Sequence, residues 1–163
     1  HQKRKIKKGN KIYNNDIMDL DLEYDIVYLD PPYNNRQYSA NYAPLNFIAM
    51  YDKKVVPYGK TGLLENYFKS DFCSKAKAKE TMTQLVTKLK TKQILISYNN
   101  EGIISESDFK KMLQKIGKVT IYKSEYKKYK SRKEDENQTV TEFIYFVDKT
   151  KKTNDKKSKI VTI

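Results

Sequence analysis

Asp25-Ile26-Val27-Tyr28-Leu29-Asp30-Pro31-Pro32-Tyr33 is the stretch on which the reading of the fold turns. Its first five residues read as a buried strand. A run that is apolar almost throughout suits the middle of a parallel sheet covered on both faces. Two consecutive prolines supply no backbone N–H and cannot continue a sheet. The strand therefore stops at Asp30, and residues 30–33 form a stiff turn at its carboxyl end. In open α/β sheets that end is where ligands bind.

Working outward, Gly9-Asn10 is turn chemistry, and residues 11–15 are expected to form a short strand ending near Asp16. After the turn, residues 38–42 read as loop. Leu45, Ile48, Ala49 and Tyr51 make one face of a short helix. Residues 53–74 carry Pro57, Gly59 and Gly62 and read as irregular. Gly59-Lys60-Thr61 is not a phosphate-binding loop, because Lys54 stands where its first glycine belongs and no strand leads in. Ala78, Met82, Leu85, Val86 and Leu89 recur at helical spacing and predict a helix over 75–90. A second short buried strand follows at 93–97 and runs into the loop Tyr98-Asn99-Asn100-Glu101-Gly102.

Ser105 and Ser107 are candidate caps for a helix whose apolar face is Phe109, Met112, Leu113 and Ile116, ended by Gly117. Residues 119–126 and 139–147 read as strands, the latter rich in β-branched and aromatic residues. The polar loop 127–137 joins them as an antiparallel pair. The order strand, helix, strand, helix, strand, strand predicts one α/β domain over 1–163, with parallel core strands and an antiparallel edge hairpin. Residues 1–10 and 148–163 read as flexible basic ends, the last apolar residues packing or fraying.

The chain has 33 Lys plus Arg against 20 Asp plus Glu, a formal net charge of +13. An excess of that size favours a polyanionic partner, nucleic acid being the commonest, although lysine-rich surfaces also serve solubility alone. Of the 20 aromatic residues 14 are tyrosine; beside lysines they suit base stacking, but they are also ordinary core residues. The single Cys73 leaves no internal disulfide and fits a reducing cytoplasm. One His and one Cys argue against a zinc site, so no metal is expected. No apolar run approaches the roughly 20 residues of a membrane span, and no signal peptide is visible. The chain begins at His1 rather than Met, which fits a fragment or a processed product.

At the turn, Asp30 offers carboxylate oxygens, and the Pro31 carbonyl is not consumed by sheet pairing. Pro32 fixes the path and Tyr33 can present a flat face. Two acceptors beside a stacking platform suit a planar group bearing an amino function with two N–H bonds. Holding both bonds draws the nitrogen lone pair out of conjugation with the ring, so that it can attack an electrophilic carbon. The plain alternative is a turn with no chemistry, since such tetrapeptides occur by chance.

Asp30-Pro31-Pro32-Tyr33, extended through Asn34-Asn35-Arg36-Gln37-Tyr38-Ser39-Ala40-Asn41-Tyr42, resembles the catalytic motif of Dam-type N-6-adenine-specific DNA methyltransferases. The resemblance continues through Ile96–Gly102 and the edge hairpin, with Tyr126–Arg132 and Glu142–Tyr145, and covers about residues 11–147. It implies a Rossmann-like sheet dependent on S-adenosylmethionine (SAM), and methyl transfer to the amino group of an adenine flipped out of double-stranded DNA. Asp30 and the Pro31 carbonyl would then hold the amino group, with Pro32 setting the path and Tyr33 stacking on the base. Asp16, with Ile17 beside it, matches the acid that contacts the cofactor, which Asp30 also borders; read by itself, Asp16 is equally a loop acid or a helix cap. Arg36, Gln37 and Tyr38 are candidates to touch DNA or close over the base. Lys128, Lys130 and Arg132 are candidates for phosphate contact, although a bare charge run is more commonly a solvated loop.

The resemblance has gaps. The family's upstream glycine-rich cofactor loop is missing, no Gly-x-Gly occurs, and no sequence-recognition region precedes the catalytic strand. The chain therefore resembles the carboxyl-terminal half of such an enzyme, of restriction-modification or orphan type. The strand edge that the other half would cover is expected to be exposed. Three states fit: a piece of a longer enzyme, one part of a split enzyme whose second chain carries the glycine-rich loop, or a decayed remnant. Two other activities fit less well, an RNA base methyltransferase and a basic nucleic-acid-binding fragment without catalysis.

Overall fold

A computed structural model describes residues 9–21, 23–51, 56, 59, 62–63, 68–127, 139–152 and 159–162. Five strands form one sheet in the order β1-β2-β4-β3-β5. They are β1 (Glu23–Leu29), β2 (Lys90–Asn99), β3 (Lys118–Lys127), β4 (Thr139–Asp148) and β5 (Lys159–Thr162). The helices are α1 (Tyr38–Asn41), α2 (Ala43–Met50), α3 (Ala78–Lys88) and α4 (Glu106–Leu113), with 3₁₀ turns at Ile17–Asp19 and Asp71–Cys73. β1 and β2 run parallel, with Leu29 beside Ile96 and Tyr28 beside Leu95. β4 lies antiparallel to both β2 and β3, so the expected hairpin sits inside the sheet. β5 pairs parallel with β3.

Side chains alternate across the pleat. Ile94, Ile96 and Tyr98 of β2, Val119 and Ile121 of β3, and Phe143, Tyr145 and Val147 of β4 are buried on one face. Met82, Leu85 and Val86 of α3 and Phe109, Met112 and Leu113 of α4 cover it. α3 is amphipathic as its spacing predicts, and its carboxyl end is held by Lys149, whose Nζ donates to the Leu89 carbonyl at 2.7 Å. The Ser105 side chain caps α4 by accepting from Asp108 N at 3.1 Å. Lys79 and Asp108 bridge the two helices at 2.8 Å. Gly117 is required by close approach, since a Cβ there would stand 2.5 Å from the Asp148 carbonyl oxygen.

Besides the interior position of the hairpin, the structure departs from the expectations in five places. β1 is an edge strand among the described residues, with Ile26 57% and Tyr28 60% exposed, because its apolar residues alternate and only Val27 and Leu29 face the core. This is the exposed strand edge expected of a half-enzyme, and it replaces a strand covered on both faces. Residues 11–15 form no strand. Residues 38–42, read as loop, contain helix α1. α2 forms, with Leu45, Ile48 and Tyr51 exposed on it and just past its end. Finally, the stretch 148–163, read as a flexible end, contains β5, and Asp148 is buried. No helix among the described residues is long and apolar enough to cross a membrane.

Candidate active site

β1 ends at Leu29, and the prolines leave the sheet. The turn is tied to the loop after β2. Tyr33 O accepts from Ile103 N at 2.7 Å and from Tyr98 Oη at 3.2 Å. The same Tyr98 oxygen accepts from Ile104 N at 3.2 Å. Tyr98 is buried, and burial raises its phenol above the usual tyrosine value, so it stays a neutral donor. Gly102 makes room for it, since a Cβ there would fall 2.1 Å from the Tyr98 ring. The carboxyl ends of the two parallel strands are thereby locked to each other.

Beside the turn lies a pocket of about 820 Å³. Asp16, Ile17 and Met18 line it from one side, and Tyr28, Leu29, Asp30, Pro31 and Pro32 from the β1 end. Phe68 to Phe72 supply a further wall, with Thr81 and Leu85 of α3 at its base. Asp16 caps the first 3₁₀ turn, its Oδ1 accepting from Met18 N at 2.9 Å. It is therefore both a helix cap and an acid lining the pocket. Asp30 is exposed. Among the described residues it makes no ion pair, and no donor reaches the Pro31 carbonyl.

Tyr33 does not line this pocket. Its half-buried ring meets Tyr98 edge-on, with centroids 6.5 Å apart. Tyr38 stands near both Asp30 and Tyr33; burial first, then those neighbours, raise its phenol above the usual range. It also stacks on Tyr42 at 6.1 Å. Arg36 is exposed. Gln37 turns both of its amide atoms to the backbone of Ser70. Lys128, Lys130 and Arg132 lie outside the described residues. Sequence reasoning missed the 68–72 wall, which has no periodicity and follows a glycine-containing irregular stretch. The one local signal was Ser70-Asp71 ahead of an apolar pair, a helix-start pattern. Among the described residues no group of His, Cys, Asp or Glu is clustered to hold a metal.

Two acids thus line one pocket at the carboxyl end of a parallel strand pair, the place where open α/β sheets commonly bind ligands. The chain belongs to the D12 class N6 adenine-specific DNA methyltransferase family, whose model matches residues 1–112. It is 38% identical over 148 residues to Type II methyltransferase M.NlaIII of Neisseria lactamica, covering 87% of this chain and 44% of that one. It is 39% identical over 149 residues to Type II methyltransferase M.FokI of Planomicrobium okeanokoites, covering 86% and 23%. Type II methyltransferase M.CviAII of Paramecium bursaria Chlorella virus 1 is 35% identical over 135 residues, covering 83% and 40%. The chain thus spans less than half the length of these relatives. No solved structure gives a significant match.

Proposed function

We propose that this chain carries the amino-group clamp of a type II modification enzyme that methylates adenine in duplex DNA. The observation that carries this reading is the pairing of an exposed carboxylate, Asp30, with the carbonyl of Pro31, which no donor among the described residues reaches, at the rim of a pocket that Asp16 also lines. Asp30 and Pro31 O accept the two amino N–H bonds of a flipped adenine. With both bonds held, the lone pair leaves conjugation with the ring and points at the electrophile. Catalysis is then mainly positioning.

The donor set fits SAM. Two acids match its positive charge and polar groups, and Ile17, Met18, Leu29 and Phe72 match its flat apolar part. When bound, SAM supplies a methyl group on a positively charged sulfur. Asp16 and Ile17 hold the cofactor, Asp30 borders both ligands, and Tyr33 and Tyr38 flank the base. The excess of cations favours DNA as partner.

A second body completes the site, whether upstream in one polypeptide or as a separate chain. Two observations support it. The edge of β1 is exposed, and the sheet face opposite the helices carries Tyr24, Ile26, Tyr28, Leu95, Tyr122, Ile144 and Phe146, none of them buried. Parallel strands ordinarily need cover on both faces. Transfer of labelled methyl from SAM to duplex DNA, compared with ribosomal RNA, tests the reading. Label in DNA adenine supports it, and label in RNA alone refutes it.

A further inference from the structure

The wall at 68–72 is held against the catalytic turn by a seam of side-chain hydrogen bonds. Gln37 Oε1 accepts from Ser70 N at 2.8 Å, and Gln37 Nε2 donates to Ser70 O at 3.4 Å. Ser39 Oγ donates to Phe68 O. Cys73 Sγ donates to Arg36 O at 3.4 Å. These four bonds join residues 36–39 to residues 68–73, segments some thirty positions apart in sequence. Gln37 sits four residues after Tyr33 and is the cap residue that starts α1. Its amide grips both polar groups of one residue, as a neighbouring strand would. The wall so held contributes Phe68, 64% exposed, to the pocket.

We propose that Gln37 is a positioning residue. Its side-chain amide fixes the Phe68–Phe72 wall at a set distance from Asp30 and Pro31, and so fixes the width of the pocket in which the transfer takes place. The consequence for the reaction rests on the methyltransferase reading; the clamp itself does not. A carboxamide spent on Ser70 has its acceptor committed and one donor engaged, which distinguishes this role from direct contact with DNA. The shorter bond, to Ser70 N, carries most of the effect. The Nε2 bond is long, and Ser70 O has a second donor in Cys73 N at 3.1 Å.

The chain contains its own reporter, because Cys73 is its one cysteine, is buried, and closes the same seam. The test follows three proteins: wild type, Gln37→Leu, and Gln37→Glu, which keeps the acceptor for the shorter bond. Hydrogen exchange at the Ser70 amide and the rate of thiol labelling at Cys73 are measured, together with kcat and KM for methyl transfer. In Gln37→Leu both local rates are expected to rise about tenfold, the effect of losing roughly 1.4 kcal/mol of hydrogen bonding. Core amides such as Ile96 and Leu113 keep their wild-type rates. kcat is expected to fall at least tenfold, with a smaller change in KM for DNA. Gln37→Glu is expected to recover most of both.

Unchanged Ser70 and Cys73 rates in Gln37→Leu overturn the proposal. So does equal acceleration of every amide, or a loss confined to KM for DNA, the signature of a direct DNA contact. If Gln37→Leu does not fold, the Gln37→Glu rates decide: near wild type supports the clamp, and a full loss overturns it. If the wild-type chain, assembled with the body that completes the site, transfers no methyl group, the methyltransferase reading fails by itself, and the exchange and labelling rates still judge the clamp.

Discussion

Tyr98→Phe removes one oxygen and nothing else from the joint between the two strand ends. The ring stays, so its edge contact with Phe109, at a centroid distance of 4.7 Å, is kept. Two hydrogen bonds are lost, but their costs are unequal. Tyr33 O retains Ile103 N at 2.7 Å, so the acceptor side is barely affected. Ile104 N loses the acceptor it had at 3.2 Å, in a residue only 4% exposed. A buried donor left without a partner costs about 1–3 kcal/mol. The unfolding free energy is therefore expected to fall by that amount, which is roughly 2–4 °C in Tm for each kcal/mol in a chain of this size. Urea unfolding with an unchanged m-value measures it. A loss below about 0.3 kcal/mol, or a gain, would show that water or a small shift satisfies Ile104, and that Tyr98 does not lock the turn by its hydroxyl.

Gly117→Ala drives a Cβ into the Asp148 carbonyl oxygen, 2.5 Å away. Both partners are backbone, so a loss of about 1–3 kcal/mol is expected from overpacking; calorimetry that finds less than half of that would refute the clash. Tyr145 lies fully buried against Phe109, and its hydroxyl has no partner among the described residues. Tyr145→Phe is expected to raise stability by about 1 kcal/mol, and a loss in denaturant titration would mean that the hydroxyl has an acceptor. Burial, more than nearby Glu106 and Tyr98, raises the Tyr145 phenol well above the usual tyrosine value, and burial raises Tyr98 likewise. The folded chain keeps protons that the unfolded chain releases near pH 10. Stability is thus expected to be level up to about pH 10 and to fall above it, less steeply in Tyr145→Phe. Parallel slopes for the two proteins would exclude Tyr145 as a source.

Much of this was legible in the sequence because it depends on local chemistry. The two prolines stop β1 where they must, the apolar spacing of α3 and α4 sets their buried faces, and Ser105 caps α4. Asp30 stood out as an acid at a strand end, which needs only short-range reading, whereas Asp16 was a candidate only through the family resemblance. What could not be read was tertiary. Residues 11–15 carry the strand formers Ile12 and Tyr13 but have no partner strand among the described residues. Ile26 and Tyr28 are as apolar as core residues, and composition says nothing of which neighbour covers them. The 68–72 wall is held by Gln37, Ser39 and Cys73 in hydrogen bonds that span 29 to 37 positions. Lysines surround β5, yet its Ile160 and Val161 pair beside Ile121 and Tyr122, a long-range event with no local signal.

The most direct test of the central claim is the appearance of N6-methyladenine in duplex DNA incubated with SAM and this chain, alone and together with any upstream segment encoded with it. Digested DNA would be resolved by chromatography and mass spectrometry, with Asp30→Ala in parallel. Asp30 is exposed and unpaired with any described cation, so that variant is expected to keep its Tm within about 1 °C, as surface substitutions do. The account predicts N6-methyladenine with the wild-type residue and at least a thousandfold less with Asp30→Ala, a clamp interaction worth about 4 kcal/mol. N6-methyladenine formed equally well by Asp30→Ala, or none from the complete wild-type assembly, would contradict it.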